Sequence, residues 1–322
     1  MTKNVRAAIA PASESPIRSM LENVARGRES PILQPMITGK TKLLGVIGDP
    51  VEHSLSPAMH NAAIASLDLD YVYLPFPIAA ENLETAIAGF AAIGLVGFNI
   101  TIPHKQAIMP LLAEISPVAR AVGAVNTVWR SDRGWEGTNT DVEGFLAPLN
   151  ALNRDWSQTV AVVLGNGGAA RAVVAGAAQL GCREIRVVGR NREKLDRFAA
   201  SWQDSPIEAN LKSYLADAVA EAVFGATLLV NSTPVGMSPH VDRSPLDATL
   251  FAKLAADAIA YDLIYTPSPT QFLKEAQLVG IKAIDGSQML VCQGAAALEK
   301  WLQQPVPVEV MRQALHQKLD RR

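Results

Sequence analysis

The run Gly165-Asn166-Gly167-Gly168-Ala169-Ala170-Arg171 has the G-x-G-x-x-A spacing and stands directly behind the apolar stretch Val160–Leu164. Glycine at 165 permits a tight turn, and glycine at 167 lets the backbone approach a pyrophosphate. Alanine at 170 lets a helix pack closely on its strand. The helix that follows would offer unpaired N–H groups to phosphate oxygens. Gly165, Asn166, Gly167, Gly168 and Ala169 are therefore candidate dinucleotide contacts. The next strand ends Val187-Val188-Gly189-Arg190, without the acid that would take the ribose 2′-hydroxyl of NAD. Arg190, followed by Arg192 and Lys194, suits a 2′-phosphate. The expected cofactor is NADP(H).

Four polar clusters lie at the ends of predicted strands in the first half of the chain: Gly48-Asp49-Pro50-Val51-Glu52-His53-Ser54-Leu55-Ser56-Pro57, Asn99-Ile100-Thr101-Ile102-Pro103-His104-Lys105, Gly123-Ala124-Val125-Asn126-Thr127 and Gly137-Thr138-Asn139-Thr140-Asp141. A parallel sheet presents such residues at its carboxyl edge, the usual ligand crevice of α/β proteins. Their hydroxyls, amides, ammonium and carboxylate suit a small, hydroxyl-rich, anionic ligand.

The elements that must position these groups alternate from Lys42 onwards. Strands are expected over 43–47, 71–75, 95–100 and 124–129, with helices over 56–67, 80–93 and 107–113. A second block begins near Trp156, with strands at Val160–Leu164, 185–188, Leu228–Asn231 and 258–263 and a charged helix from Arg192. Helices over 288–302 and 308–319 have no strand of their own, so one is expected to return to the first domain. Such alternation predicts mostly parallel sheets covered by helices. The expected fold class is α/β: a substrate domain at 42–141, completed by 286–322, and a Rossmann-type dinucleotide-binding domain at 142–285. The active site would lie in the cleft between them. Residues 1–41, with Pro11, Pro16, Pro31 and Pro35, read as a loosely ordered arm. Within it Ile17, Met20, Leu21 and Val24 follow Ser15-Pro16 at helical spacing.

Composition excludes other classes. The 322 residues are 49% hydrophobic, enough for a sizeable core, and a formal charge of −2 leaves no basic surplus for nucleic acid. No apolar stretch approaches the roughly 18 residues that cross a bilayer, so a cytoplasmic protein without membrane contacts is expected. Two cysteines, Cys182 and Cys292, make no disulfide framework, and no two of the five histidines stand four apart. No metal is expected. A homodimer is among the assemblies open to such a chain.

In order and wording these segments resemble the shikimate dehydrogenase family, the shikimate/quinate dehydrogenases. The likeness rests on HSLSP at 53–57, NITIPHK at 99–105, GAVNT at 123–127, NTD at 139–141, GNGGAAR at 165–171, NSTPVGM at 231–237, DLIYTPSPT at 262–270 and QGA at 293–295. It spans roughly residues 42 to 300. The resemblance implies NADPH-dependent reduction of 3-dehydroshikimate to shikimate, a step towards chorismate and the aromatic amino acids. It further implies that Lys105 exchanges a proton with the reacting oxygen and that Asp141 stands beside it. Sequence leaves open which of the two transfers the proton. Ser54 and Ser56, with Tyr265 near, would hold the substrate carboxylate, and Asn99, Thr101, Asn126 and Gln293 the ring hydroxyls. On the cofactor side Arg190 and Lys194 would take the 2′-phosphate, and Thr233 and Met237 would border the nicotinamide. Met237 could equally be a core residue. Asp262 reads as a structural turn cap. A dual-specificity quinate/shikimate dehydrogenase and a silent ligand-binding relative are the alternatives.

Overall fold

The computed structural model describes residues 37–203, 205 and 210–320. The helix expected behind Ser15-Pro16, and the arm up to residue 36, lie outside the described residues.

The chain begins β1 (Lys42–Gly48), α1 (Ser56–Ser66), β2 (Tyr71–Pro77), α2 (Leu83–Ala92), β3 (Gly97–Ile100) and the single turn α3 (His104–Ala107). It continues through β4 (Glu114–Ile115), α4 (Pro117–Val122), β5 (Thr127–Ser131) and β6 (Gly134–Thr138). These strands form one sheet in the order β2-β1-β3-β5-β6-β4, parallel across β2, β1 and β3 and antiparallel across β3, β5 and β6. Helix α5 (Asp141–Asn150) leads on to β7 (Val160–Leu164), α6 (Gly168–Gln179), β8 (Glu184–Gly189), α7 (Arg192–Ala200), β9 (Leu211–Leu215), α8 (Val219–Ala222) and β10 (Leu228–Asn231). Then come β11 (Ile259–Asp262), α9 (Gln271–Leu278), β12 (Lys282–Ile284), α10 (Ser287–Leu302) and α11 (Val308–Leu319). The second sheet runs β12-β11-β10-β7-β8-β9 with every pair parallel. That is the doubly wound order of dinucleotide-binding folds.

Strand β7 shows why the second sheet forms. Ala161 and Val163 enter the cluster shared with Phe145, Val173 and Phe198, while Val160, Val162 and Leu164 enter the one with Phe251 and Phe272. Both faces are buried, so the strand reads as an uninterrupted apolar run. In the first sheet, Leu44 and Val46 face Met59, Leu298, Trp301 and Met311, whereas Ile47 joins Phe90, Phe98 and Ile108.

Both terminal helices, not one, therefore return to the first sheet. The indole of Trp301 explains the fit of α10: its Nε1 donates to the Val128 carbonyl at 2.9 Å, across Gly97, where a side chain would collide with it. Helix α10 also sends Met289 into the second sheet's cluster. The helix expected over 107–113 is replaced by α3 and a short 3₁₀ turn at Met109–Leu111. Pro110 has no N–H for an α-helical ladder. The strand expected from 124 starts at Thr127: the Val125 N–H goes to the Lys105 carbonyl and the Ala124 carbonyl accepts from Asn139, while Asn126 already bonds to the neighbouring strands through Thr138 and Ile100. Asp141 opens α5, so the boundary expected after residue 141 falls in the first turn of a helix.

Candidate active site

Lys105 projects from α3, and its Nζ donates to Oδ2 of Asp141 at 2.5 Å. Both side chains are largely shielded, 16% and 9% exposed, so water screens the pair weakly. The pair is held by one short segment of the chain, through its backbone and one side-chain amide. The N–H of Val125 donates to the Lys105 carbonyl at 2.8 Å, and Nδ2 of Asn126 donates to Oδ1 of Asp141 at 2.8 Å. Asn139 completes the support, donating to the Ala124 carbonyl at 3.0 Å and accepting from the Asp141 N–H at 3.0 Å.

The amides expected to meet ring hydroxyls are mostly spent inside the protein. Asn126 also donates to Thr140 Oγ1 at 3.0 Å and accepts from the Thr140 N–H at 2.8 Å. Asn99 accepts from the Tyr73 hydroxyl at 2.7 Å and donates to the Asn126 carbonyl and Thr127 Oγ1, both at 3.1 Å. Gln293, buried on α10, lies 3.4 Å from Asn126 Nδ2 through its Oε1. Thr101, half-buried at the end of β3, stands three residues before His104, whose N–H donates to the Thr101 carbonyl at 3.0 Å. Ser54 precedes α1 and accepts from the Ser56 N–H at 3.3 Å, and Ser56, the first residue of α1, is buried. Tyr265, in the loop after β11, packs against the cluster that holds Val51 and Leu55.

The glycine turn faces this assembly. A Cβ on Gly168 would lie 3.6 Å from Cδ of Lys105, so the stem of the lysine runs past the head of α6. Gly165 has φ +107, and a side chain there would meet Ser232 Oγ at 2.8 Å and Thr233 Cγ2 at 3.0 Å. Only glycine takes that conformation readily. Nothing lies within 4 Å of a Cβ built on Gly167, which leaves the backbone open to an approaching pyrophosphate. No side chain caps the start of α6, so its first N–H groups are free for phosphate. Asn166 Nδ2 is buried without a hydrogen-bond partner. These features fit a dinucleotide. Arg190, Arg192 and Lys194 are exposed at the end of β8, and Asn191 caps α7 by accepting from the Lys194 N–H at 2.9 Å. Met237 is 43% exposed, which rules out the core-packing reading.

Several groups do structural work around the site. Asp262 is fully buried and accepts from Asn231, Thr270 and the Ile264 N–H at 3.0, 2.7 and 3.0 Å; burial raises its pKa to about 6. Asn231 in turn accepts from Thr233 Oγ1 at 2.7 Å, so this buried acid steadies the 231–237 loop. His104 lies 2.7 Å from the Ile78 carbonyl through Nε2 and belongs to the wall. His60 is buried and stacked on Tyr73 at 4.1 Å, and burial lowers its pKa to about 4. Among the described residues no cluster of metal-ligating side chains occurs, and no helix is long and apolar enough to cross a membrane. Arg171, the last residue of the glycine motif, has a role that the sequence alone does not disclose. It is buried at the first turn of α6 and donates through Nε to the Val122 carbonyl of α4.

Fold and site together define a two-sheet α/β protein of the dinucleotide-dependent kind, its glycine turn opening beside a paired ammonium and carboxylate. A family model for the shikimate dehydrogenase substrate binding domain matches residues 46–128, and one for the shikimate 5′-dehydrogenase C-terminal domain matches residues 286–316. A shikimate dehydrogenase (NADP(+)) of Trichormus variabilis is 67% identical over 88% of this chain and 99% of its own length. One of Gloeothece citriformis is 63% identical over 89% of this chain and 99% of its own length. A crystal structure of a shikimate dehydrogenase in complex with NADP+ superimposes with a TM-score of 0.79 at 40% identity, covering 89% of this chain and 99% of that one. The chain belongs to the shikimate dehydrogenase family.

Proposed function

We propose that the chain catalyses the reversible NADP-dependent reduction of 3-dehydroshikimate to shikimate. Residues 42–141 with 286–322 form the substrate body in this reading, and residues 142–285 the cofactor body. The observation that carries it is the 2.5 Å Lys105–Asp141 pair, set against Gly168 at the head of the glycine turn.

In the reductive direction 3-dehydroshikimate, NADPH and one proton give shikimate and NADP+. NADPH, when bound, supplies the hydride that reduces the ketone carbon. The carbonyl oxygen then gains negative charge, and an ammonium beside it both stabilises that charge and delivers the proton. Lys105 is read as that group. In the oxidative direction its nitrogen takes the hydroxyl proton. Asp141 aims the ammonium and balances its charge, and Asn126 holds Asp141 still. Ser54, Ser56 and Tyr265 form the carboxylate corner, and Thr101, Asn99 and Gln293 line the ring-hydroxyl side. Arg190 and Lys194 take the 2′-phosphate, while Gly165 to Ala169 receive the pyrophosphate and Thr233 and Met237 border the nicotinamide. A cytoplasmic homodimer belongs to the same reading.

Initial rates with shikimate or quinate, each with NADP+ or NAD+, test it. Turnover confined to shikimate with NADP+ is expected, because two serine hydroxyls already fill the corner where quinate carries its extra hydroxyl. Comparable quinate turnover would make the chain a dual-specificity enzyme. Silence of the folded protein in all four assays would remove the activity.

A further inference from the structure

We propose that Arg171 is a positioning residue that couples the cofactor turn to the Lys105–Asp141 pair through the segment 122–126. The inference rests on the oxidoreductase reading above. Arg171 stands on α6 at the glycine turn and is 6% exposed. Its Nε donates to the carbonyl of Val122, and a Cβ on Gly123 would lie 2.5 Å from its Nη2. Gly123 has φ +67, so both its backbone and its missing side chain suit the guanidinium lying over it. The next three residues each fix part of the pair. Ala124 binds Asn139, which holds the Asp141 N–H; Val125 donates to the Lys105 carbonyl; Asn126 donates to Asp141 Oδ1. One end of a short segment is therefore gripped from the cofactor helix, and the rest of it sets both charged groups. On its far side Arg171 donates to Ser201 Oγ at 2.8 Å and lies over Phe198 and Trp202, 5.4 and 5.3 Å from the ring centroids. Those contacts fix the guanidinium without touching segment 122–126.

The test compares Arg171→Gln, Arg171→Lys and Ser201→Ala with the native chain. The readouts are kcat and KM for shikimate, NADP+ affinity by quenching of intrinsic fluorescence, and melting temperature. A misplacement of the pair relative to the cofactor should lower kcat in Arg171→Gln by roughly a hundredfold. KM and NADP+ affinity should stay within about threefold. Arg171→Lys, which keeps one donor and the charge, should recover part of kcat, and Ser201→Ala should keep it. Retained kcat in Arg171→Gln, a loss confined to KM or NADP+ affinity, or an equal kcat loss in Ser201→Ala would overturn the proposal. So would failure of both Arg171 variants to fold, since the residue would then be scaffold. A native chain without shikimate turnover sinks the functional reading instead, and that arm is read first.

Discussion

The ammonium of Lys105 lies 2.5 Å from Oδ2 of Asp141, while Oδ1 of the same carboxylate is taken by Asn126. The carboxylate is thus oriented from both sides, by the ammonium and by the amide. Lys105→Ala should lower kcat by about 10²–10⁴, the range associated with losing a general acid–base group. NADP+ affinity should barely change, because only the stem of Lys105 approaches the turn, at Gly168. Steady-state rates and a fluorescence titration separate the two quantities. Undiminished turnover would take Lys105 out of the mechanism.

Arg190 is exposed at the end of β8, where it has room to meet a phosphate dianion. A charge-assisted hydrogen bond is worth about 1.5–3 kcal/mol. Arg190→Ala should therefore weaken NADP+ binding by roughly 10- to 100-fold and leave NAD+, which lacks the 2′-phosphate, nearly unaffected. Dissociation constants for both cofactors decide the matter. Equal losses would show that selection lies elsewhere on the turn.

The parts of this architecture that were legible in sequence are those written in contiguous residues. Val160–Leu164 is apolar throughout because both faces of β7 are covered, and the glycine turn behind it is spelled in consecutive letters. The short β6, Gly-Trp-Glu-Gly-Thr, escaped notice because its glycines dilute the strand signal, and β12 has only three residues. Helix α5 escaped because Pro148 lies inside it and no side chain caps its start. Arg171 could be located but not interpreted: its acceptor is a main-chain carbonyl 49 residues away in sequence, and backbone atoms leave no trace in residue type. The amide of Asn126 likewise looked free for ligand until Thr140 and Asp141 folded against it.

Two helix glycines should respond to alanine with opposite signs. Gly89 on α2 has nothing within 4 Å of an added Cβ, so Gly89→Ala gains helix propensity alone, about 0.5–1 kcal/mol. At Gly144 the added carbon would lie 2.7 Å from the Met289 carbonyl and 2.8 Å from Gln293 Cβ, where α5 crosses α10. Overpacking of this kind costs about 1–3 kcal/mol and outweighs the propensity gain. Beside this crossing the Asn126 amide meets both Asp141 and Gln293, so Gly144→Ala should also lower activity. Urea unfolding of the two variants checks the signs, and a stabilised Gly144→Ala would mean that the helices separate freely.

Two buried groups should set opposing slopes in the acid stability of the protein. The imidazole of His60, held at about 4, is still neutral in the folded chain when the unfolded chain begins to protonate it at 6.5. Its contribution is therefore lost as the pH falls from 6.5 towards 4. Asp262, raised from 3.8 to about 6, behaves oppositely. The folded chain keeps its proton where the unfolded chain has released it, so stability falls as the pH rises from 3.8 to about 6 and returns on acidification. Each window is worth up to about 3 kcal/mol, and they overlap enough to flatten the native profile. Asp262→Asn removes the gain on acidification. Its deficit against the native chain should widen between pH 6 and 4. His60→Gln removes the loss, and its deficit should narrow over the same range. Urea unfolding at several pH values from 4 to 7 gives both differences, and variant curves parallel to the native one would show that neither group changes its proton affinity on folding.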